Sequence, residues 1–151
     1  MNHGYNVQML ESISMDIAIG LPLATVKGGI PWHASLAEIQ TKLGLHNTHM
    51  ITENYCSSNV LNIHGLETRL GLLFENRRLC RIELLTPLEL SMEESFARNQ
   101  TWLEQQFGDP SESGQADAGF LFHRWNIGHV CITHTVIDRF VVSEHVILKH
   151  D

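Results

Sequence analysis

Residues 35–44, SLAEIQTKLG, and residues 91–108, SMEESFARNQTWLEQQFG, open and close alike, and their reading decides the fold. Each begins Ser-x-x-Glu: Ser35 with Glu38, Ser91 with Glu94. A serine hydroxyl accepting from the amide three residues on, with a glutamate reaching back, satisfies two donors that a helix start leaves open. Each ends in an apolar residue and glycine, Leu43-Gly44 and Phe107-Gly108, and glycine supplies the left-handed exit from a helix. Asp109-Pro110 forbids continuation of the second. Leu36, Ile39 and Leu43 share one face of the first helix. Met92, Phe96, Leu103 and Phe107 line the second, with Asn99 or Gln100 interrupting the stripe and Trp102 at its border.

Strand patterns follow both helices. Leu70, Leu72 and Phe74 alternate with Gly71, Leu73 and Glu75. Asn76-Arg77 then reads as a tight turn, because Asn tolerates positive φ, and Cys80, Ile82 and Leu84 alternate in the return strand. Later, FLFHRW (120–125) pairs across Asn126-Ile127-Gly128 with HVCITHTV (129–136), and FVVSEHVIL (140–148) is the last strand. A first strand is expected around Ile13–Ile19. Residues 45–59 read as loop with a short extended piece, and SESGQADAG (111–119) as a surface loop. The pattern predicts one α+β domain over residues 1–151, with two helices packed on one face of a mostly antiparallel sheet. Segments 28–86 and 87–151 are candidate helix-plus-strands repeats.

Composition excludes several classes of function. Ten basic residues against seventeen acidic ones, net charge −7, do not furnish the concentrated positive surface that phosphate backbones require. No stretch approaches the about 20 apolar residues needed to span a bilayer. The start, MNHGYNVQML, lacks the basic lead and apolar core of a signal peptide. Three cysteines with no C-x-x-C read as reduced thiols, so a cytoplasmic protein is expected.

Ten histidines invite a metal. His46 and His49 sit in a loop-like stretch, however, and His129 with Cys131 has no second close ligand pair to complete a structural site. No metal or cofactor is expected, and folding is expected to need none. Cys56, in the polar NYCSSN, is the most exposed thiol candidate, while Cys80 and Cys131 sit among apolar residues that keep a thiol protonated. Gly28-Gly29 lacks the pattern of a phosphate loop. No catalytic residues are assigned. The charge pattern instead offers a binding surface: Glu93, Glu94, Glu104, Asp109, Glu112 and Asp117 gather in one stretch, offset only by Arg98. With Trp102 as an aromatic anchor, this stretch is the candidate site for a positively charged protein partner.

The segments GGIPWHASLAEIQTKLG (28–44) and LGLLFENRRLCRIELL (70–85) resemble units of small bacterial α+β inhibitor folds. These include β-lactamase-inhibitor-type repeats and the immunity proteins of polymorphic toxin systems, and the similarity covers about residues 28–108. Asn76-Arg77 stands where those hairpins usually carry Asp-Gly or Asn-Gly. The resemblance implies a cytoplasmic immunity or inhibitor protein that binds and neutralises a cognate toxin or enzyme, with no catalysis of its own. The alternative is a small-molecule or metal-binding domain using histidines on the open face of the sheet, its ligand lined by His123, His129, His134 or His145, with His134 expected on the face opposite His129.

Overall fold

The computed structural model describes residues 17–23, 26–44, 47–63, 66–85, 90–115, 121–138 and 142–151. Among them are two helices, α1 (Leu36–Leu43) and α2 (Met92–Phe107). Ser35 caps α1 by accepting from the Glu38 amide at 3.2 Å, and Ser91 caps α2 from the Glu94 amide at the same distance. Such a cap contributes about 1 kcal/mol to a helix. Both exits use glycine at positive φ, Gly44 at 92° and Gly108 at 77°.

Eleven strands surround them: β1 (Gly20–Leu23), β2 (Val26–Pro31), β3 (Thr48–Thr52), β4 (Tyr55–Ser58), β5 (Leu61–Ile63), β6 (Leu66–Glu75), β7 (Arg78–Leu85), β8 (Glu112–Gln115), β9 (Leu121–Ile127), β10 (Val130–Asp138) and β11 (Val142–His150). All registered pairs are antiparallel. β1 and β2 form a separate hairpin, and the main sheet runs β3-β4-β6-β7-β11-β10-β9-β8, with β5 paired to β6 off that path. Each helix is therefore followed by a meander, and the two meanders join through their last strands. Val146 faces Leu84 and Leu148 faces Ile82 across that seam.

One face of the sheet carries the core. Leu70, Leu72, Ile82, Leu84, Val146, Leu148, Ile132 and Trp125 are buried on it, and Ile39 and Leu43 of α1 with Leu103 of α2 close over them. Alternation along each strand turns the intervening residues to the opposite, uncovered face. Ile30 and Trp32 bring the β1–β2 hairpin into the same core, and Trp32 Nε1 donates to Ile17 O at 2.8 Å. At Gly29, φ is 62° and a Cβ would stand 2.3 Å from Leu21 O, so only glycine lets the two strands approach. That is the structural use of Gly29.

The Asn76-Arg77 turn is a two-residue loop with Glu75 opposite Arg78, and its φ values of 51° and 62° are those of a type I′ turn. The second hairpin is tighter than expected: Ile127 pairs with Val130, so the loop is Gly128-His129, with Gly128 at φ 58°.

Four local expectations are corrected. Residues 45–59 hold the β3–β4 hairpin, and SESG at 111–114 contributes to strand β8. The outer strands β3 and β8 do not alternate, because both lie at sheet edges where burial does not sort the side chains, whereas the inner β4 does alternate in burial. The first strand is Gly20–Leu23, with Ile17–Ile19 forming a turn before it and residues 13–16 outside the described set. On α2 the buried positions are Ser95, Asn99 and Leu103, while Met92 is exposed. The interruption predicted at Asn99 is the centre of the packed face.

Candidate functional site

Asn99 is buried because a polar network lies beneath it. His134 on β10 and Glu144 on β11 are paired through Nε2 and Oε2, with side chains 0% and 2% exposed. Glu144 Oε1 accepts from Ser95 Oγ, and Asn99 Nδ2 donates to both carboxylate oxygens, at 3.4 and 3.3 Å. His134 Nδ1 lies 2.7 Å from Gln100 Oε1, whose amide nitrogen donates to Glu104 Oε1 at 3.0 Å. That second bond sets the Gln100 amide with its oxygen toward the ring. Both nitrogens of His134 then face side-chain oxygens. Phe96 stacks on the ring at 3.9 Å between centroids, 19° from parallel.

The arrangement contains serine, histidine and acid, but it is not wired as a nucleophile. In a catalytic triad the imidazole stands between hydroxyl and carboxylate and takes the hydroxyl proton. Here Glu144 stands in the middle, bonded to both Ser95 Oγ and His134 Nε2. What the network can do is fix α2 on the sheet in one register. Removing one partner would leave buried polar atoms unpaired.

The four histidines offered as ligand-lining candidates are separated. His134 lies under α2, and His123 pairs with it across β9–β10 on the same covered side, its Nδ1 2.9 Å from Ser113 Oγ. Burial pushes the His123 pKa below its ordinary value, the neighbouring His134 adds to this, and Glu104 opposes it. His129 occupies the β9–β10 turn. His145, bonded to Ser143 at 2.9 Å, projects to the open face. Among the described residues no three His, Cys, Asp or Glu side chains stand ready to hold a metal ion.

Cys56 is corrected as well: it is fully buried, and burial raises its thiol pKa. It faces Leu72 across β4–β6, a contact its polar sequence neighbours do not reveal. Cys80 is also buried with a raised pKa, for the same first reason. Cys131 is the half-exposed thiol.

The acidic stretch is only partly brought together. Glu93, Glu94, Glu104 and Asp109 are exposed on α2 and its exit. Glu94, Arg98, Trp102 and Gln105 recur at helical spacing, and Ala97, Arg98, Thr101, Trp102 and Gln105 line a shallow hollow of about 470 Å³. Trp32 and Trp125 are buried, whereas Trp102 is half-buried, in edge contact with Phe107 at 6.4 Å. Glu112 departs from the group. It lies on β8, opposite Arg124, and the two form an ion pair at 2.9 Å. Arg124 neighbours the buried Trp125, so this pair occupies the sheet's other face. Asp117 lies outside the described residues.

That other face has a different character. It carries Arg69, Arg81, Arg124 and Lys149 against Glu83 and Glu112, with Leu73, Leu85 and Ile147 half-buried between them. Tyr55 lies across Gly71 so closely that a Cβ there would stand 2.1 Å from the phenol oxygen. Burial, then Glu83, raises the Tyr55 pKa.

No helix among the described residues is long and apolar enough to cross a membrane. No protein-family model matches the chain, and no curated protein matches it in sequence. A solved structure of a DUF4309 family protein from Bacillus subtilis is similar to it, with a TM-score of 0.52 and 10% identity over 95% of this chain and 97% of that one. At that identity the likeness is one of fold.

Proposed function

We propose that the protein is a cytoplasmic bacterial immunity or inhibitor protein, which binds a positively charged toxin or enzyme and neutralises it by occluding its surface. The observation that carries this reading is the outer flank of α2. Its exposed carboxylates, Glu93, Glu94, Glu104 and Asp109, share the helix and its exit with a hollow lined by Ala97, Arg98, Thr101, Gln105 and the half-buried Trp102. A large aromatic near solvent-accessible charge suits a binding surface: the ring supplies affinity, the charges supply speed and partner choice.

The partner is sought by purifying the tagged chain from its native host beside two variants. Glu94→Lys with Glu104→Lys and Asp109→Lys reverses the helix flank; Arg69→Glu with Lys149→Glu reverses the open sheet face. All five positions are exposed, so both variants are expected to fold. A basic protein retained by wild type and by the sheet variant, but lost from the helix variant, is the expected result. Retention by the helix variant would overturn the assignment of this surface.

A further inference from the structure

The main sheet ends at β3 on one side and at β8 on the other. A terminal strand leaves a row of backbone N–H and C=O groups unpaired, and proteins usually guard such a row with charge or proline. β8, ESGQ, carries Glu112 and no large apolar residue. β3, THMIT, carries neither charge nor proline. It exposes Met50 at 45% and Ile51 at 63%, and Val60, two residues beyond β4, is exposed at 48%. Half of the large apolar residues exposed among the described residues gather at this one edge.

The register shows which backbone groups face outward. Asn59 N–H donates to Asn47 O at 2.8 Å, and two residues along each chain His49 stands opposite Ser57. Bonded and non-bonded pairs alternate in an antiparallel ladder, so His49 turns its backbone groups toward β4. Thr48 and Met50 turn theirs away from it, where no described strand lies. The Met50 side chain shares the covered side with Cys56, and His49 shares the open side with Ser57. The register shifts only after Met50.

We propose that β3 pairs with β3 of a second copy of this chain, antiparallel about a twofold axis at His49, joining two main sheets edge to edge. The outward row is its own complement. The axis sets Thr48 opposite Met50 of the second copy and Met50 opposite Thr48 of the second copy, two bonded pairs with two hydrogen bonds each. Both pairs precede the register shift. Ile51 then stands opposite Asn47 of the second copy, so no charge meets a like charge across the paired segment, although each chain carries −7. His49 meets its own copy on the open side, its ring tied back to Asn59 Oδ1 at 2.7 Å. One short strand falls short of the about 1,200 Å² that stable interfaces bury, so the dimer is weak and concentration-dependent. α2 packs on β11, well along the sheet from β3, and its acidic flank stays free in the dimer.

The test is sedimentation velocity of the full chain over a concentration series, beside Met50→Lys and Met50→Pro, with Met92→Lys at an exposed position of α2 as control. Circular dichroism checks that each variant is folded. Because the Met50 N–H faces outward, proline there removes a donor that the chain's own ladder does not use. Wild type and Met92→Lys are expected to shift from monomer to dimer as concentration rises, while both Met50 variants stay monomeric over the same range. Amide hydrogen exchange supplies the second readout: the Thr48 and Met50 amides should exchange more slowly at high concentration. A wild type that stays monomeric overturns the proposal. So does a dimer that the folded Met50 variants retain or that Met92→Lys loses, and so does exchange at Thr48 and Met50 that ignores concentration.

Discussion

His134 on β10 and Glu144 on β11 form a hydrogen-bonded pair that solvent does not reach, sealed by Ser95, Asn99 and Gln100 from a single helix face. Removing one partner alone leaves several buried polar atoms unsatisfied. Glu144→Ala is expected to reduce stability by about 3 kcal/mol, measured by urea unfolding. The double change His134→Leu with Glu144→Met, which removes both polar partners and retains volume, should recover much of that loss. Losses that simply add would contradict the pairing.

The His123 ring gives stability a pH dependence of known sign. Its pKa is depressed in the fold, so the unfolded chain binds the proton more readily. Stability from this group is complete above the ordinary histidine value of 6.5 and declines as pH falls from there toward the folded-state value. His123→Gln should flatten that part of the melting-temperature profile. A variant with the same acid slope as wild type would show that another group is responsible.

Thiol reactivity should separate the cysteines. Cys56 and Cys80 are buried and Cys131 is half-exposed, so a thiol reagent added to the native protein should label Cys131 first. Rapid labelling of Cys56 would mean that the β4–β6 pairing opens readily.

The Asn76-Arg77 turn should respond to glycine. Arg77 holds φ 62°, a left-handed conformation that costs a side-chain-bearing residue about 1 kcal/mol. Arg77→Gly is expected to raise stability by about 0.5–1 kcal/mol. A loss would indicate that the arginine side chain contributes more than its backbone strain.

The helices and the central strands were legible because their signals are local. Ser35 and Ser91 announce the helix starts within four residues, and Leu70, Leu72, Ile82 and Leu84 alternate because one face is buried. The edge strands β3 and β8 carry no such alternation, since each ends the sheet and most of its residues are exposed. The polar network was beyond reach for a different reason. Ser95 and Asn99 look like interruptions of an apolar stripe until Glu144, 49 residues from the first and 45 from the second, is placed beneath them. Likewise, the acidic stretch reads as one surface along the chain, yet β8 turns Glu112 to the far side of the sheet, where it meets Arg124.

The account stands most directly on the α2 flank. With the purified partner in hand, its association rate with wild type and with the Glu94→Lys, Glu104→Lys and Asp109→Lys triple variant is measured across a salt series, and Trp102→Ala is measured at a single salt concentration. Steering by opposite charge predicts a wild-type rate that falls steeply with ionic strength and a triple variant that is slower and nearly salt-independent. Trp102→Ala should mainly speed dissociation, weakening affinity by at least about 2 kcal/mol. An unchanged rate, an unchanged salt slope and an unchanged affinity would remove this surface from the function of the protein.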